Sequence, residues 1–352
     1  MNLLDFYYDL PDNLIGQKAI EPRDKCRLLI LDRYTKQITH KYFSDLVAIL
    51  DKNTVLVLND TKVFPARLFG TKDTGGKTEI LLLKQLSLDS YSAIGKGKFK
   101  IGTIINFSPD FFGEITYVND GEINIRFNQN GTQLIEKIDQ LGKTPLPPYI
   151  HSEVKEKDLR TQYQTVYAKE KGSAAAPTAG LHFTDKLLKD LEDKEVSIEK
   201  VTLHVGLGTF KPVTTEQVLS KTLHSESYIL SEKVAASLNK AKSEGKKIVA
   251  VGTTSCRLLE SLANKEGSIH PGQGETNIFI QPGYKFKFVD GLITNFHLPS
   301  TSLLMLVTAL TLYPNTSEEL KNFLDSPIGK AYQEAIKEKY KFFSFGDAML
   351  II

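Results

Sequence analysis

Cysteine is scarce. Cys26 and Cys256 are the only two in 352 residues. Two thiols supply neither a disulfide framework nor a cysteine metal cage. An excess of charge of one sign is also missing: 44 Lys and Arg face 42 Asp and Glu, a net charge of +2. Dedicated nucleic-acid binders carry a large basic excess, so only a local basic face remains open to such a role. Long hydrophobic runs are absent as well. The longest, Ser302–Tyr313, falls short of the roughly 20 residues that cross a bilayer. The acidic start, Met1–Leu10, lacks the basic-then-apolar layout of a signal peptide. There is no internal repeat, no low-complexity tract, no Gly-x-Ser-x-Gly elbow and no Walker A loop. These absences point to a soluble chain in a reducing, cytoplasmic setting. What is present is an ordinary globular balance, 41% hydrophobic and 24% charged. The length exceeds what one core usually holds, so two domains are expected.

The first segment reads as α/β. Arg27–Leu31 is an apolar run of strand length, and Tyr42–Leu50 has helical spacing. Thr54–Leu58 is a β-branched run ending at Asn59-Asp60-Thr61, the pattern of a strand buried on both faces. From about Ala66 to Tyr149 the pattern changes to short strands and turns with almost no helix. Lys77–Leu86, Tyr91–Ile94 and Ile101–Phe107 read as strands. Glu114–Val118, with Ile115 and Tyr117 on one face, pairs with Glu122–Phe127 across the hairpin signal Asn119-Asp120-Gly121. Strands at this spacing suggest a small antiparallel barrel. Thr144-Pro145-Leu146-Pro147-Pro148-Tyr149 reads as a stiff return linker. After Ser152 the α/β pattern resumes, with helices at Thr184–Lys194, Ser231–Glu244, Leu303–Leu312, Glu318–Leu324 and Lys330–Tyr340. Strands are expected at Ile198–Val205, Lys247–Val251, Thr276–Ile280 and Gly291–Phe296. The expected fold is a mixed α/β main domain formed by both chain ends, residues 1–65 plus 152–352, with an inserted small antiparallel β-barrel at 66–151.

Chemistry is concentrated in loops after the barrel. Ala174–Thr184 is rich in small residues and leads into a helix; it is either a tight packing loop or a place where a ligand meets backbone N–H groups. His204-Val205-Gly206-Leu207-Gly208-Thr209-Phe210 follows a strand but lacks the third glycine of a dinucleotide fingerprint. Gly252-Thr253-Thr254-Ser255 joins a buried strand to a helix, where open α/β sheets bind ligands, although a plain helix start is commoner. His224-Ser225-Glu226 matches the His-x-Glu of zinc deaminases, but the Pro-Cys-x-x-Cys partner is missing. His182, His204, His224 and His297 share no ligand spacing, so no metal is expected. All four read as loop residues at strand or helix ends, which favours a shared site over four structural imidazoles. Lys96, Lys98 and Lys100 alternate with Gly97, Phe99 and Ile101; on a strand their ammonium groups share one face, suited to phosphates or to protecting a sheet edge.

Taken together the motifs resemble the S-adenosylmethionine:tRNA ribosyltransferase-isomerase family of queuosine biosynthesis, over nearly the whole length. The resemblance rests on Tyr8-Asp9-Leu10-Pro11, Glu21-Pro22-Arg23-Asp24, Leu58-Asn59-Asp60-Thr61-Lys62-Val63 with Pro65-Ala66-Arg67, and Pro145–Ile150. It continues through Tyr163–Ala168, Ala174–Thr184, His204–Phe210, Gly252–Ser255, Asn295-Phe296-His297-Leu298-Pro299 and Phe343–Ala348. Two departures stand out: Ser300-Thr301-Ser302 differs in the order of hydroxyl residues after the proline, and Cys256 stands where an aliphatic residue is usual.

The resemblance implies a reaction in which S-adenosylmethionine donates its ribosyl carbons, as substrate rather than prosthetic group. The acceptor is the aminomethyl group of the 7-deazaguanine preQ1 at the tRNA wobble position; epoxyqueuosine-tRNA forms, and adenine and methionine leave. Such chemistry needs a base at C5′, protonation of adenine and a neutral amine, all roles suited to histidine. His182, His204, His224 and His297 are therefore expected around the ribose, with Glu226 orienting one imidazole. Thr253, Thr254 and Arg257 are expected on the amino-acid tail. Asn59, Asp60 and Arg67 are expected on the nucleotide, and Thr178, Gly180, Gly206, Thr209 and Asp347 complete the substrate-binding set. Lys96, Lys98 and Lys100 are expected on tRNA, and a monomer without membrane attachment is expected. Two other classes compete: an S-adenosylmethionine-dependent RNA methyltransferase, disfavoured because no glycine-rich loop follows Thr54–Leu58, and a non-catalytic RNA-binding protein, disfavoured by the near-neutral charge and the histidine loops.

Overall fold

The computed structural model describes residues 2–119, 121–150, 153–206, 213–312, 320 and 322–352. In chain order its regular elements begin with β1 (Arg27–Leu31), β2 (Ile38–Tyr42), α1 (Leu46–Ile49), β3 (Thr54–Asn59) and β4 (Thr61–Val63). Then come β5 (Arg67–Lys72), β6 (Lys77–Gln85), β7 (Ser90–Gly95), β8 (Ile104–Ser108), β9 (Phe111–Asn119), β10 (Glu122–Phe127) and α2 (Gly131–Leu141). The chain continues through α3 (Glu156–Gln162), β11 (Glu170–Ser173), α4 (Asp185–Asp193), β12 (Ser197–Leu203), α5 (Thr215–Ser220), β13 (Thr222–Leu230), α6 (Glu232–Ser243) and β14 (Lys247–Val251). It ends with α7 (Thr253–Leu262), β15 (Gly272–Ile278), β16 (Gly291–Asn295), α8 (Ser302–Leu312), α9 (Pro327–Lys337) and β17 (Ala348–Ile351).

The main sheet has the order β15-β13-β12-β3-β14-β16-β17-β1-β2. The β-branched run of β3 lies at its centre and is buried at every position. Side chains alternate across a strand, so β3 feeds two cores. Val55 and Val57 pack with Leu238 of α6, Leu258 of α7 and Leu306 of α8. Leu56 and Leu58 pack with Leu46 of α1 and Leu187 and Leu191 of α4 on the other face. The strand run needs no polar alternation because helices cover both faces. Helix α8 is buried on all sides, which explains its uniformly apolar sequence; among the described residues no helix is long and apolar enough to cross a membrane.

The segment between the two halves of this sheet forms a closed barrel, β10-β7-β6-β5-β8-β9. Leu68, Ile80, Leu82, Ala93, Ile105, Phe111, Ile115, Ile123 and Ile125 fill it, joined by Leu134 and Ile138 of α2. A mixed α/β body built from both chain ends, with an antiparallel barrel between them, is thus the observed fold.

Several local expectations are corrected. Tyr42–Leu50 is helical over Phe43–Ile49, but it opens as a 3-10 turn, Phe43–Asp45, before the short α1. The barrel segment does contain a helix, α2. Ile115 and Tyr117 do not share a face. Ile125 pairs with Ile115 while Asn124 pairs with Tyr117, so Thr116 is an extra residue, a bulge that turns Tyr117 to solvent. Lys96, Lys98 and Lys100 are not on a strand; β7 stops at Gly95, and all three are exposed in the loop before β8. Phe323–Asp325 is a 3-10 turn, while Glu318 and Glu319 lie outside the described residues, as do Asp120 and Tyr313.

Candidate active site at the carboxyl edge of the sheet

Strands β12, β3, β14 and β16 run parallel to one another. Their carboxyl ends therefore meet at one edge, the place where open α/β sheets bind ligands. Asn59, His204, Gly252 and Asn295 sit at those ends. Strand β17 runs antiparallel to β16 and starts opposite Asn295, which brings Asp347 to the same edge. Gly252, at φ +87°, turns the chain directly from β14 into α7; the left-handed backbone suits glycine.

The first cluster joins β3, β12 and α7. Asn59 donates to the Leu203 carbonyl (2.9 Å) and to Thr254 Oγ1 (3.3 Å), and accepts from the Thr61 and Leu203 amides (3.2 and 3.1 Å). Thr202 Oγ1 donates to Asp60 Oδ1 at 2.7 Å, and burial pushes the Asp60 carboxyl up. His204 Nδ1 lies 2.8 Å from Thr61 Oγ1. The imidazole is half-buried, and desolvation lowers its pKa against the opposing pull of Asp60 and Glu170. Gly172 of β11, at φ +146°, runs beside this ring; a Cβ there would sit 2.9 Å from it.

The second cluster centres on His182. Asn295 Nδ2 donates to the Phe343 carbonyl at 3.1 Å, which fixes its amide, and to His182 Nε2 at 3.0 Å. That leaves Nδ1–H to face Cys26 Sγ at 3.2 Å. Burial, with the charge of Arg23, holds His182 down at about 4, so it is neutral at physiological pH. Burial pushes the Cys26 thiol up. His297 is also enclosed. Its Nε2 lies 3.0 Å from Thr294 Oγ1, its amide donates to Tyr332 Oη at 2.9 Å, and its carbonyl accepts from the Tyr8 hydroxyl. Burial pushes His297 down to about 3.

Glu226 forms a buried ion pair with Arg257 and accepts weakly from the Gly206 amide at 3.4 Å. It holds a guanidinium, not an imidazole, which corrects the expectation. Arg257 Nε donates to the Ile278 carbonyl (3.2 Å), and its buried Nη2 has no partner among the described residues. His224 lies within β13 rather than in a loop.

Thr178 and Gly180 lie in a 3-10 turn, Thr178–His182; the Tyr167 hydroxyl occupies the place a Gly180 Cβ would need. Other expected residues are taken up by different partners. Asp347 accepts from the Arg27 and Lys341 amides, each at 2.7 Å, and so clamps backbone. Arg67 pairs with Glu79 in the barrel and donates to the Leu146 carbonyl at 2.7 Å. Thr209 lies outside the described residues, with Leu207, Gly208 and Phe210. Among the described residues no three of His, Cys, Asp and Glu gather as metal ligands. Sequence reasoning missed Cys26, Thr61, Thr294 and Tyr332 as histidine partners. Thr61 alone carried a signal, as the residue two beyond the end of the buried β3 run.

Comparison with known proteins identifies the family. Residues 3–351 match a family model described as Queuosine biosynthesis protein. The chain is 49% identical to the S-adenosylmethionine:tRNA ribosyltransferase-isomerase of Clostridioides difficile (strain 630), over 100% of both chains. It is 47% identical to the protein of the same name from Carboxydothermus hydrogenoformans, again over 100% of both. Among solved structures it resembles S-adenosylmethionine tRNA ribosyltransferase from Thermotoga maritima, at 33% identity, covering 99% of this chain and 100% of that one, with a TM-score of 0.54. The chain belongs to the queuosine biosynthesis family.

Proposed function

We propose that this protein is a tRNA-modifying enzyme that transfers and isomerises the ribosyl moiety of S-adenosylmethionine. The acceptor is the aminomethyl group of preQ1 at the wobble position. The products are epoxyqueuosine-tRNA, adenine and methionine. The observation that carries this reading is 49% identity over the full length of a ribosyltransferase-isomerase. Full-length likeness of this kind favours ribosyl transfer over methyl transfer or passive RNA binding.

The sulfonium acidifies the C5′ hydrogens of the donor, so a neutral imidazole beside them can begin the reaction. His204 suits this step, because its Nδ1 is held by Thr61 and the ring is only half-buried. His182 and His297, neutral and enclosed, suit binding and orientation of the ribose, with His224 at the rim. Thr253 and Thr254 open α7, whose first N–H groups attract a carboxylate; with Arg257 they would take the methionine tail, while Glu226 aligns the guanidinium. Asn59, Asp60, Thr178, Gly180, Gly206, Thr209 and Asp347 would frame the donor, and Arg67 the approach from the barrel. Lys96, Lys98 and Lys100 would meet tRNA phosphates. We divide the chain into a catalytic domain, residues 1–65 plus 152–352, and a barrel domain, 66–151, and assign it to the cytoplasm as a monomer that uses no prosthetic group or metal. The test supplies preQ1-tRNA and S-adenosylmethionine labelled separately in ribose and methyl. Ribose label in the RNA, with adenine and methionine in equal amounts, is expected; methyl label in the RNA refutes the reading.

A further inference from the structure

A half-open cavity of about 120 Å³ lies where the barrel meets β11. Its walls are apolar: Leu83 from β6, Ile135 and Ile138 from α2, and the rings of Phe64 and Tyr91, whose centroids are 6.1 Å apart. Gln85 and Asp139 add a short polar edge. Asp139 meets Lys171 of β11 at 3.6 Å, so an ion pair ties the barrel helix to the sheet-side wall. Gly172, the next residue, also lines the cavity, and a Cβ on it would lie 2.9 Å from the His204 ring. One glycine therefore separates this cavity from the first cluster of the sheet edge.

We infer that this cavity receives the everted wobble base of the tRNA substrate. The inference rests on the ribosyl-transfer reading and locates its acceptor. Aromatic and aliphatic walls suit the faces of a flat heterocycle, and a base in a single-stranded anticodon loop costs little to turn out. A 7-deazaguanine presents two donors on one edge, N1–H and the 2-amino group. A carboxylate, which only accepts, matches that pair of donors; Asp139 supplies it, and Gln85 offers both a donor and an acceptor beside it. Phosphate-directed lysines cannot read a base; this cavity has the chemistry that can.

The test pairs a protein change with a base change. Asp139→Asn keeps the shape but removes the charge and replaces one acceptor with a donor. The second RNA carries 7-aminomethyl-7-deazahypoxanthine at the wobble position and so lacks only the 2-amino group. Ribose transfer is measured as kcat/KM for each RNA with each protein. Wild type should lose about 10–100-fold on the deaminated RNA, the range for a hydrogen bond to a charged group. Asp139→Asn should fall about as far on the normal RNA, yet lose less than about threefold more on the deaminated one, because the contact is already gone. Its KM for S-adenosylmethionine should be unchanged. If Asp139→Asn discriminates between the two RNAs as well as wild type does, the pocket assignment is overturned, even if the variant is slower through a loosened barrel. If wild type transfers no ribose label to preQ1-tRNA, the functional reading falls, and this inference with it.

Discussion

Acidification should unfold this protein through its two enclosed histidines. His182 and His297 are held down at about 4 and about 3 by burial, against an unfolded value near 6.5. A depressed folded pKa means that stability is fully present above pH 6.5 and is lost as pH falls towards the folded value. The unfolded chain takes up the protons that the folded one refuses. At pH 5 each histidine should have cost about 2 kcal/mol relative to pH 8, and the pair about 4 kcal/mol. That is a large share of the roughly 5–15 kcal/mol that holds a domain. Denaturant unfolding at pH 8, 6.5 and 5 reads the loss. The comparison to make is wild type against His297→Gln, because Asp60 and Asp347, whose burial raises their pKa values, contribute with the opposite sign and cancel in the difference. The variant should be about 1 kcal/mol weaker at pH 8, having changed its bond to Thr294, but its decline to pH 5 should be about 2 kcal/mol shallower. Identical declines for the two proteins would refute the claim that His297 is neutral and enclosed.

Breaking the Glu226–Arg257 pair with Glu226→Gln leaves a buried guanidinium without a counter-charge and should cost about 3–5 kcal/mol; the double variant Glu226→Leu/Arg257→Met should recover much of the lost melting temperature, and no recovery would contradict the ion-pair account. Gly180→Ala drives a methyl group into the Tyr167 hydroxyl and should destabilise by about 1–3 kcal/mol; adding Tyr167→Phe should restore part of this in thermal unfolding. Replacing Lys96, Lys98 and Lys100 with Ala should weaken tRNA binding and reduce the slope of log K against log salt by about 0.7–0.9 per lost phosphate contact. A filter-binding titration at several salt concentrations that gives an unchanged slope would return these lysines to ordinary surface.

Where local sequence decided structure, it could be read. The β3 run has no polar break, so burial on both faces followed. The helices expected from Thr184 and Ser231 do begin there, and each hydroxyl caps its helix by accepting from an amide three residues on, Leu187 at 3.1 Å and Val234 at 3.3 Å. Elements that depend on tertiary partners were less legible. Helix α2 does carry a helical period, with Leu134, Ile138 and Leu141 on one face, but it sits among short strands and reads with them; β13 is largely half-exposed and carries little period. The site divides the same way. Strand-end loops predict a shared edge, because parallel strands must finish together. Which groups meet there is long-range information: Cys26 and His182 are 156 positions apart, and Asn59 and Thr254 are 195 apart. No periodicity reports such pairs, and a carboxylate two positions from a histidine, as Glu226 is from His224, proved a poor guide to its partner.

The place of β17 has a consequence for how the protein is made. Ala348–Ile351 lies between β1 and β16 and hydrogen-bonds to both. On a ribosome the barrel strands emerge together and can close early, since their pairings span short stretches of chain. The main sheet cannot. Until Ala348–Ile351 leaves the exit tunnel, β1 and β2 have no bridge to the rest of the sheet, and β16 presents an open edge to any strand nearby. Loops that must close over hundreds of residues are slow, so the nascent chain passes through an interval in which a finished barrel is tethered to an unfinished sheet. A chain cut short before Ala348 would stay there, a target for proteases and for edge-to-edge association.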